Sequence, residues 1–136
     1  EIFLDEVRDR IDLSRVHYTG KVPYATFVGL MQVTRVHCYL TVPFVLSWSM
    51  LEAMSAGALV VASRTAPVEE LITDGENGRL TDFFDTRELA EVLVDSLARP
   101  EDFDALRAAA RRQIVENYDL QSICLPRLIS FVEDRL

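Results

Sequence analysis

The chain has 136 residues, 49% of them hydrophobic and 26% charged, which is enough for one compact domain with a packed core. Its formal charge of -8, with Lys21 as the lone lysine, excludes a nucleic-acid footprint, because a phosphate backbone demands clustered Lys and Arg on one face. An anionic small ligand stays compatible with that charge, since helix N-termini and loop amides bind phosphate without a basic surface.

Ile2, Phe3, Leu4, Val7 and Ile11, with Asp and Arg between them, predict the end of an amphipathic helix over 2–13, so the chain is expected to start mid-fold. VHYTG at 16–20 reads as a short strand ending at Gly20. The following PYATFVGLMQVT reads as a helix, with Pro23 at its start and Phe27, Leu30 and Met31 on one face. VHCYL at 36–40 is a second strand, followed by the loop TVPFVLS and a helix that stops at Gly57. LVVAS at 59–63 is an unbroken apolar strand, as in a parallel sheet covered on both faces.

VEELITDG is expected to be a short helix running into a DGENG turn, with GRL at 78–80 as a brief fourth strand. DGENG lacks the twelve-residue ligand pattern of a calcium loop, so a tight turn is expected. Three helices over about 86–136 close the chain. Their apolar stripes are Leu89, Val92, Leu93, Leu97; then Phe103, Leu106, Ala110, Ile114; then Leu120, Cys124, Leu128, Ile129, Val132, with Pro126 interrupting the last.

Strands alternating with helices of about ten residues imply an α/β fold with a doubly wound, Rossmann-like parallel sheet. Ligands of such sheets bind outside the carboxyl ends of the strands, where loops enter helix N-termini. Cys38 and Cys124 are far apart and match no metal spacing, so both are read as buried thiols of a reducing cytoplasm, with no metal site. The uncharged run from Val36 to Leu51 is broken by Pro43 and polar residues, which argues against a membrane span, and the N-terminus has no signal-peptide layout.

The segment VPFVLSWSMLEAM at 42–54 concentrates the chemistry. Ser47 or Ser49 can cap the helix, and Ser49 with Glu52 three residues on makes a capping-box pattern, so one reading of Glu52 is purely structural. The other reading joins the free N–H groups near Ser47, Trp48 and Ser49, as a phosphate cradle, to Glu52 as acceptor for the vicinal hydroxyls of a ribose. His17 and His37 read as strand histidines rather than catalysts, Arg64 as a solvated side chain or one facing an anion, and Trp48 as a ring packed over the loop. DFFD at 82–85 has the wrong spacing for a DxD metal motif.

The order LEAMSAGALVVAS, then a helix with EEL, then ITDGENGRL, then NYDL before the last helix, resembles the C-terminal nucleotide-sugar domain of the GT-B glycosyltransferases, family 4 (group 1). The resemblance spans nearly the whole chain. It implies a retaining hexosyltransferase of bacterial type, soluble in the cytoplasm, taking a nucleotide-sugar as substrate and needing no cofactor or metal. It places donor ribose binding on Glu52, amide contacts to the phosphates on Val45, Leu46 and Ser47, base contacts on Gly20 to Val22, and the acid of a PE-type turn on Glu70. Phe44 stands where the family has its first Glu, so the Glu-x7-Glu pattern is broken and the sugar-contacting acid is lost.

The resemblance further implies that residues 1–136 are one partial domain, without its first strand and helix, where the Arg and Lys that pair with the diphosphate stand. The acceptor domain that would complete the cleft, and that could meet a membrane-bound acceptor, is likewise expected elsewhere. An open sheet edge invites a homodimer. The isolated fragment is expected to bind weakly and catalyse nothing. A non-catalytic α/β binding or regulatory module is the rival reading, favoured by Phe44. A flavodoxin-like receiver is a weaker rival, because it needs clustered acids at strand ends.

Overall fold

In the computed structural model, residues 3–42 and 46–135 are described. Strands β1 (Val36–Tyr39), β2 (Leu59–Ser63) and β3 (Arg79–Thr81) form a parallel sheet in the order β1-β2-β3, with Val36 opposite Leu59 and Val61 opposite Arg79. Every residue of the central β2 is buried, as its Leu-Val-Val-Ala run requires once both faces are covered. Helix α3 (Trp48–Ala56) links β1 to β2, and the single turn α4 (Ala66–Glu69) leads from β2 toward β3.

Met50, Ala53 and Met54 of α3 lie three and four residues apart, so they share one helix face. That face packs on Val60 and Ala62 of β2 and on Ala110 and Ile114 of α6 (Asp104–Tyr118). α3 ends at Gly57, whose φ of 86° lets its N–H turn back onto the Ala53 and Met54 carbonyls. Two arginines of α6 then serve the orphan carbonyls of the last turn: Arg107 donates to Gly57 O at 2.7 Å and Arg111 to Ser55 O. The helix expected over 2–13 is a short α1 (Phe3–Val7) followed by a 3-10 turn at Arg8–Arg10; α2 (Tyr24–Val33) lies alongside α3, and α5 (Thr86–Ala98), capped by Asp85, lies against β1 and β3.

The DGENG turn is fixed by four features. Gly75 has a φ of 77°, and Arg64 holds Asp74 at 2.9 Å while Asp74 accepts from the Leu80 amide at 3.0 Å. Asn77 accepts from the Thr73 amide at 2.8 Å and donates to Leu71 O and Gln113. Gly78 lies so close to Ile72 and the Val60 carbonyl that no side chain fits there. Arg64, which the sequence left between solvent and ligand, also pairs with Glu69 at 3.7 Å.

Several expectations are corrected. Val16–Gly20 is not a strand: among the described residues no strand pairs with it, Val16 and Tyr18 are exposed, and His17 follows them into irregular chain. GRL therefore forms the third strand of the described sheet, shifted by one residue to Arg79–Thr81. Cys38, on β1 at the edge of the described sheet, is exposed rather than buried, and Cys124 is half-buried.

Of the first closing stripe, Leu97 is exposed, and Ser96 is buried instead by donating to Val92 O at 2.7 Å. The last stripe is helical, but Leu120, Leu128, Ile129 and Val132 all face outward. Pro126 interrupts nothing there. A π-type turn at Leu120–Cys124, capped by Asp119, runs directly into α7 (Leu125–Glu133), and Pro126 falls in the first turn of α7.

Candidate functional site

Tyr39 ends β1, and its hydroxyl accepts the Ser47 amide at 3.0 Å, which anchors the far end of the loop at the sheet. Ser47 is the N-cap of α3: its Oγ accepts the Ser49 amide at 3.3 Å and lies 2.9 Å from Ser49 Oγ. The Ser49–Glu52 capping box therefore does not form, because Ser47 already holds the cap and Glu52 falls beyond N3. Two of the three amides of the expected phosphate cradle are thus engaged inside the protein. The Trp48 amide takes no partner among the described residues.

Glu52 is free to face outward and does so. Its Oε1 accepts the Tyr24 hydroxyl at 2.8 Å, a bond that pushes the phenol's pKa up from its ordinary value, with the carboxylate charge adding to the effect. Beyond it opens a crevice of about 760 Å³, lined by Glu52, Leu46, Trp48 and Glu70 on one side and by Tyr118 and Asp119 on the other. A hollow of about 190 Å³ behind Glu52 is lined by Tyr24, Phe27, Ser55 and Arg111. The crevice lies where the chain leaves β1 for α3 and β2 for α4, at the carboxyl ends of the strands.

The crevice lining carries three carboxylates and no Lys or Arg among the described residues. Asp119 is committed: the Ser122 hydroxyl at 2.6 Å and amide at 2.8 Å hold its carboxyl below the usual carboxylate range. Glu52 is bonded to Tyr24, while the Glu70 side chain has no partner among the described residues. Trp48 does not pack over the loop, as its sequence context suggested. It is 84% exposed, standing at the first position of α3 beside the opening. His37 is half-buried in β1, and burial pushes its imidazole below the ordinary value.

A family profile described as "Glycosyl transferases group 1" matches residues 3–99. The chain belongs to the group 1 glycosyltransferases. This glycosyltransferase chain is 31% identical over 109 residues to the MMP alpha-(1->4)-mannosyltransferase of Mycolicibacterium hassiacum, a match covering 79% of the chain and 26% of that enzyme. It superposes on Anabaena HepE in complex with UDP-glucose with a TM-score of 0.84 at 21% identity, covering 98% of this chain and 37% of HepE. The C-terminal domain of the group 1 protein LpcC from Francisella tularensis superposes with a TM-score of 0.72 at 15% identity, covering 88% of this chain and 64% of that domain. The fold is that of a C-terminal GT-B domain, and the chain spans 26% of its curated relative's length.

In this glycosyltransferase domain the crevice brings together Glu52, Leu46, Trp48 and Glu70 of the expected donor residues. Ser47 and Ser49 sit at the helix start without lining it, and Gly20 and Val22, on the loop before α2, do not reach it. Phe44 and Val45 lie outside the described residues. Sequence reasoning missed Tyr24 as a site residue. Its partner is 28 positions away, and no local pattern marks such a pair. Tyr118 and Asp119 do carry a signal in the sequence, since they belong to the NYDL segment before the last helix.

Proposed function

We propose that this chain is the donor-binding domain of a retaining glycosyltransferase of hexosyltransferase type, which transfers a sugar from a nucleotide-sugar to an acceptor. The observation that carries the reading is the placement of Glu52. Its carboxylate stands one turn into α3, near the Trp48 amide, which has no partner among the described residues, and faces an open crevice at the carboxyl ends of the strands instead of a packed interior. An ionised carboxylate is acceptor-only, which suits the two vicinal hydroxyls of a ribose. The UDP and UDP-glucose complexes of HepE, whose fold this chain shares, support a nucleotide-sugar as the ligand class.

Electrostatics support a division of labour. A diphosphate brought to three carboxylates, with no Lys or Arg lining the crevice among the described residues, is repelled, and the dipole of α3 offsets only part of that. Residues 1–136 alone therefore bind a nucleotide-sugar weakly and do not turn it over, whereas the full-length protein supplies the cations and the acceptor site. Titration calorimetry of the full-length protein with UDP-, GDP- and ADP-sugars tests the reading. One donor class is expected to bind, and Glu52→Ala should weaken it by roughly 10- to 100-fold, the loss of one or two bonds to a charged acceptor. Unchanged affinity in Glu52→Ala would overturn the ribose assignment. A second reading, a non-catalytic nucleotide-binding module, is favoured by Phe44 in place of the family's sugar-contacting Glu. Saturable donor binding without transfer or donor hydrolysis in the full-length protein would decide for it.

A further inference from the structure

Tyr24 opens α2 and Glu52 lies one turn into α3, yet the phenol hydroxyl reaches Oε1 at 2.8 Å, and both residues line the crevice and the hollow behind it. Glu52 takes no other polar partner among the described residues. Arg111 lines the same hollow, but its guanidinium is held on the Ser55 carbonyl and forms no ion pair with Glu52. The carboxylate thus has two directions open to it, one toward the crevice and one toward a cation.

The geometry points to Tyr24 as the positioning residue that aims Glu52 into the crevice, and so as a determinant of ribose over deoxyribose selectivity. This rests on the ribose reading above. The terminal torsion of a glutamate is broad, so an untethered carboxylate samples many orientations. Donation from the phenol to Oε1 selects one of them and uses one of the roughly four lone-pair sites, leaving Oε2 bare for a hydroxyl pair. Without that donor, the opposite charge of Arg111 draws the carboxylate away from the crevice. Tyr24 is suited to the task because its ring is held independently: it is stacked on Phe27 with centroids 6.2 Å apart. Tyr24→Phe therefore removes the donor and keeps the packing.

The test uses the full-length protein and titrates UDP, GDP and ADP, each against its 2′-deoxy counterpart, taking the pair whose ribose form binds tightest. The wild type is expected to prefer the ribose form. Tyr24→Phe should weaken that form by about fivefold, one neutral-donor hydrogen bond, while leaving the deoxy form unchanged. Glu52→Gln should abolish the preference, and the double variant should match Glu52→Gln alone, because the two side chains act as one unit. If Glu52→Gln keeps the wild-type ratio of ribose to deoxyribose affinity, or if no ribonucleotide binds, the ribose reading falls. If Glu52→Gln removes the preference but Tyr24→Phe retains it, the role of Tyr24 is overturned while the ribose reading stands. Equal weakening of both forms by Tyr24→Phe also overturns it, since a merely structural role would act on both.

Discussion

Gly78 offers the sharpest test of the packing that supports the crevice. A Cβ added there would stand 2.8 Å from Ile72 Cγ2, 3.3 Å from Ile72 Cδ1 and 3.2 Å from the Val60 carbonyl oxygen. Carbon atoms attract at about 3.5 to 4.0 Å and repel well inside that, so something must move. Neither neighbour can retreat: Ile72 is in the core, and Val60 is backbone of the central strand, hydrogen-bonded on both sides. Overpacking of this kind costs about 1 to 3 kcal/mol.

For a chain of 136 residues, an unfolding entropy of roughly 2.1 cal/mol/K per residue turns that into a fall of about 4 to 10 °C in Tm. Gly29 provides the control. It lies inside α2 with nothing within 4 Å of an added Cβ, so Gly29→Ala should stabilise by about 0.5 to 1 kcal/mol through the backbone entropy that alanine never loses. Calorimetric or denaturant unfolding of the two variants should thus move in opposite directions. A Gly78→Ala midpoint at or above wild type would refute the reasoning, whatever Gly29→Ala does.

Ile114→Ala should cost about 2 to 4 kcal/mol in denaturant unfolding, because its buried side chain joins α6 to Met50, Met54 and the sheet. Trp48 is the chain's one tryptophan and stands exposed at the crevice, so its fluorescence should shift as a nucleotide saturates the full-length protein, and Trp48→Ala should leave stability within about 0.5 kcal/mol of wild type. Calorimetric saturation with unchanged emission would place the ligand elsewhere. His37 has a buried Nε2 with no partner among the described residues, and burial holds its pKa below the ordinary 6.5. The unfolded chain therefore takes up that proton at a higher pH than the folded chain. Stability should hold above pH 6.5 and decline as the pH falls from there toward the lowered folded value, and His37→Leu should flatten that decline in acid unfolding scans.

What could be read from the residues follows from where the information lies. LVVAS announced β2 to the residue, because a central parallel strand needs apolar side chains on both faces and no charge interrupts the run. Gly57, Gly75 and Pro23 placed a helix stop, a turn and a helix start through backbone constraints that act locally. VHYTG failed because a strand is defined by its neighbour. Its alternating pattern fits a sheet, but no described strand lies beside it. The capping box failed for a related reason: SxS offers two caps, and the Tyr39 hydroxyl, eight residues upstream, helps settle the chain on the first. Glu52 could be singled out from its place in the helix, whereas its partner Tyr24 is brought in by the packing of α2 on α3, a tertiary fact that no local spacing encodes.

The same distinction governs the electrostatics of the crevice. Three arginines around the crevice are spent on structure: Arg64 on Asp74 and Glu69, Arg107 on Gly57 O, Arg111 on Ser55 O. Each caps a helix end or closes a turn, roles that a charge count cannot separate from ligand binding. The net charge of -8 was therefore a fair guide to this surface, which presents acids to whatever enters. Among the described residues, a dianionic diphosphate would meet Glu52, Glu70 and Asp119 with the Trp48 amide and the α3 dipole in its favour. Raising the salt concentration should consequently strengthen nucleotide binding to residues 1–136 alone, because screening weakens the repulsion, and should weaken it in the full-length protein if added cations dominate there. A fall in affinity with salt for the isolated residues would show that a cation of this chain reaches the phosphates, and would overturn the assignment of those arginines to purely structural roles.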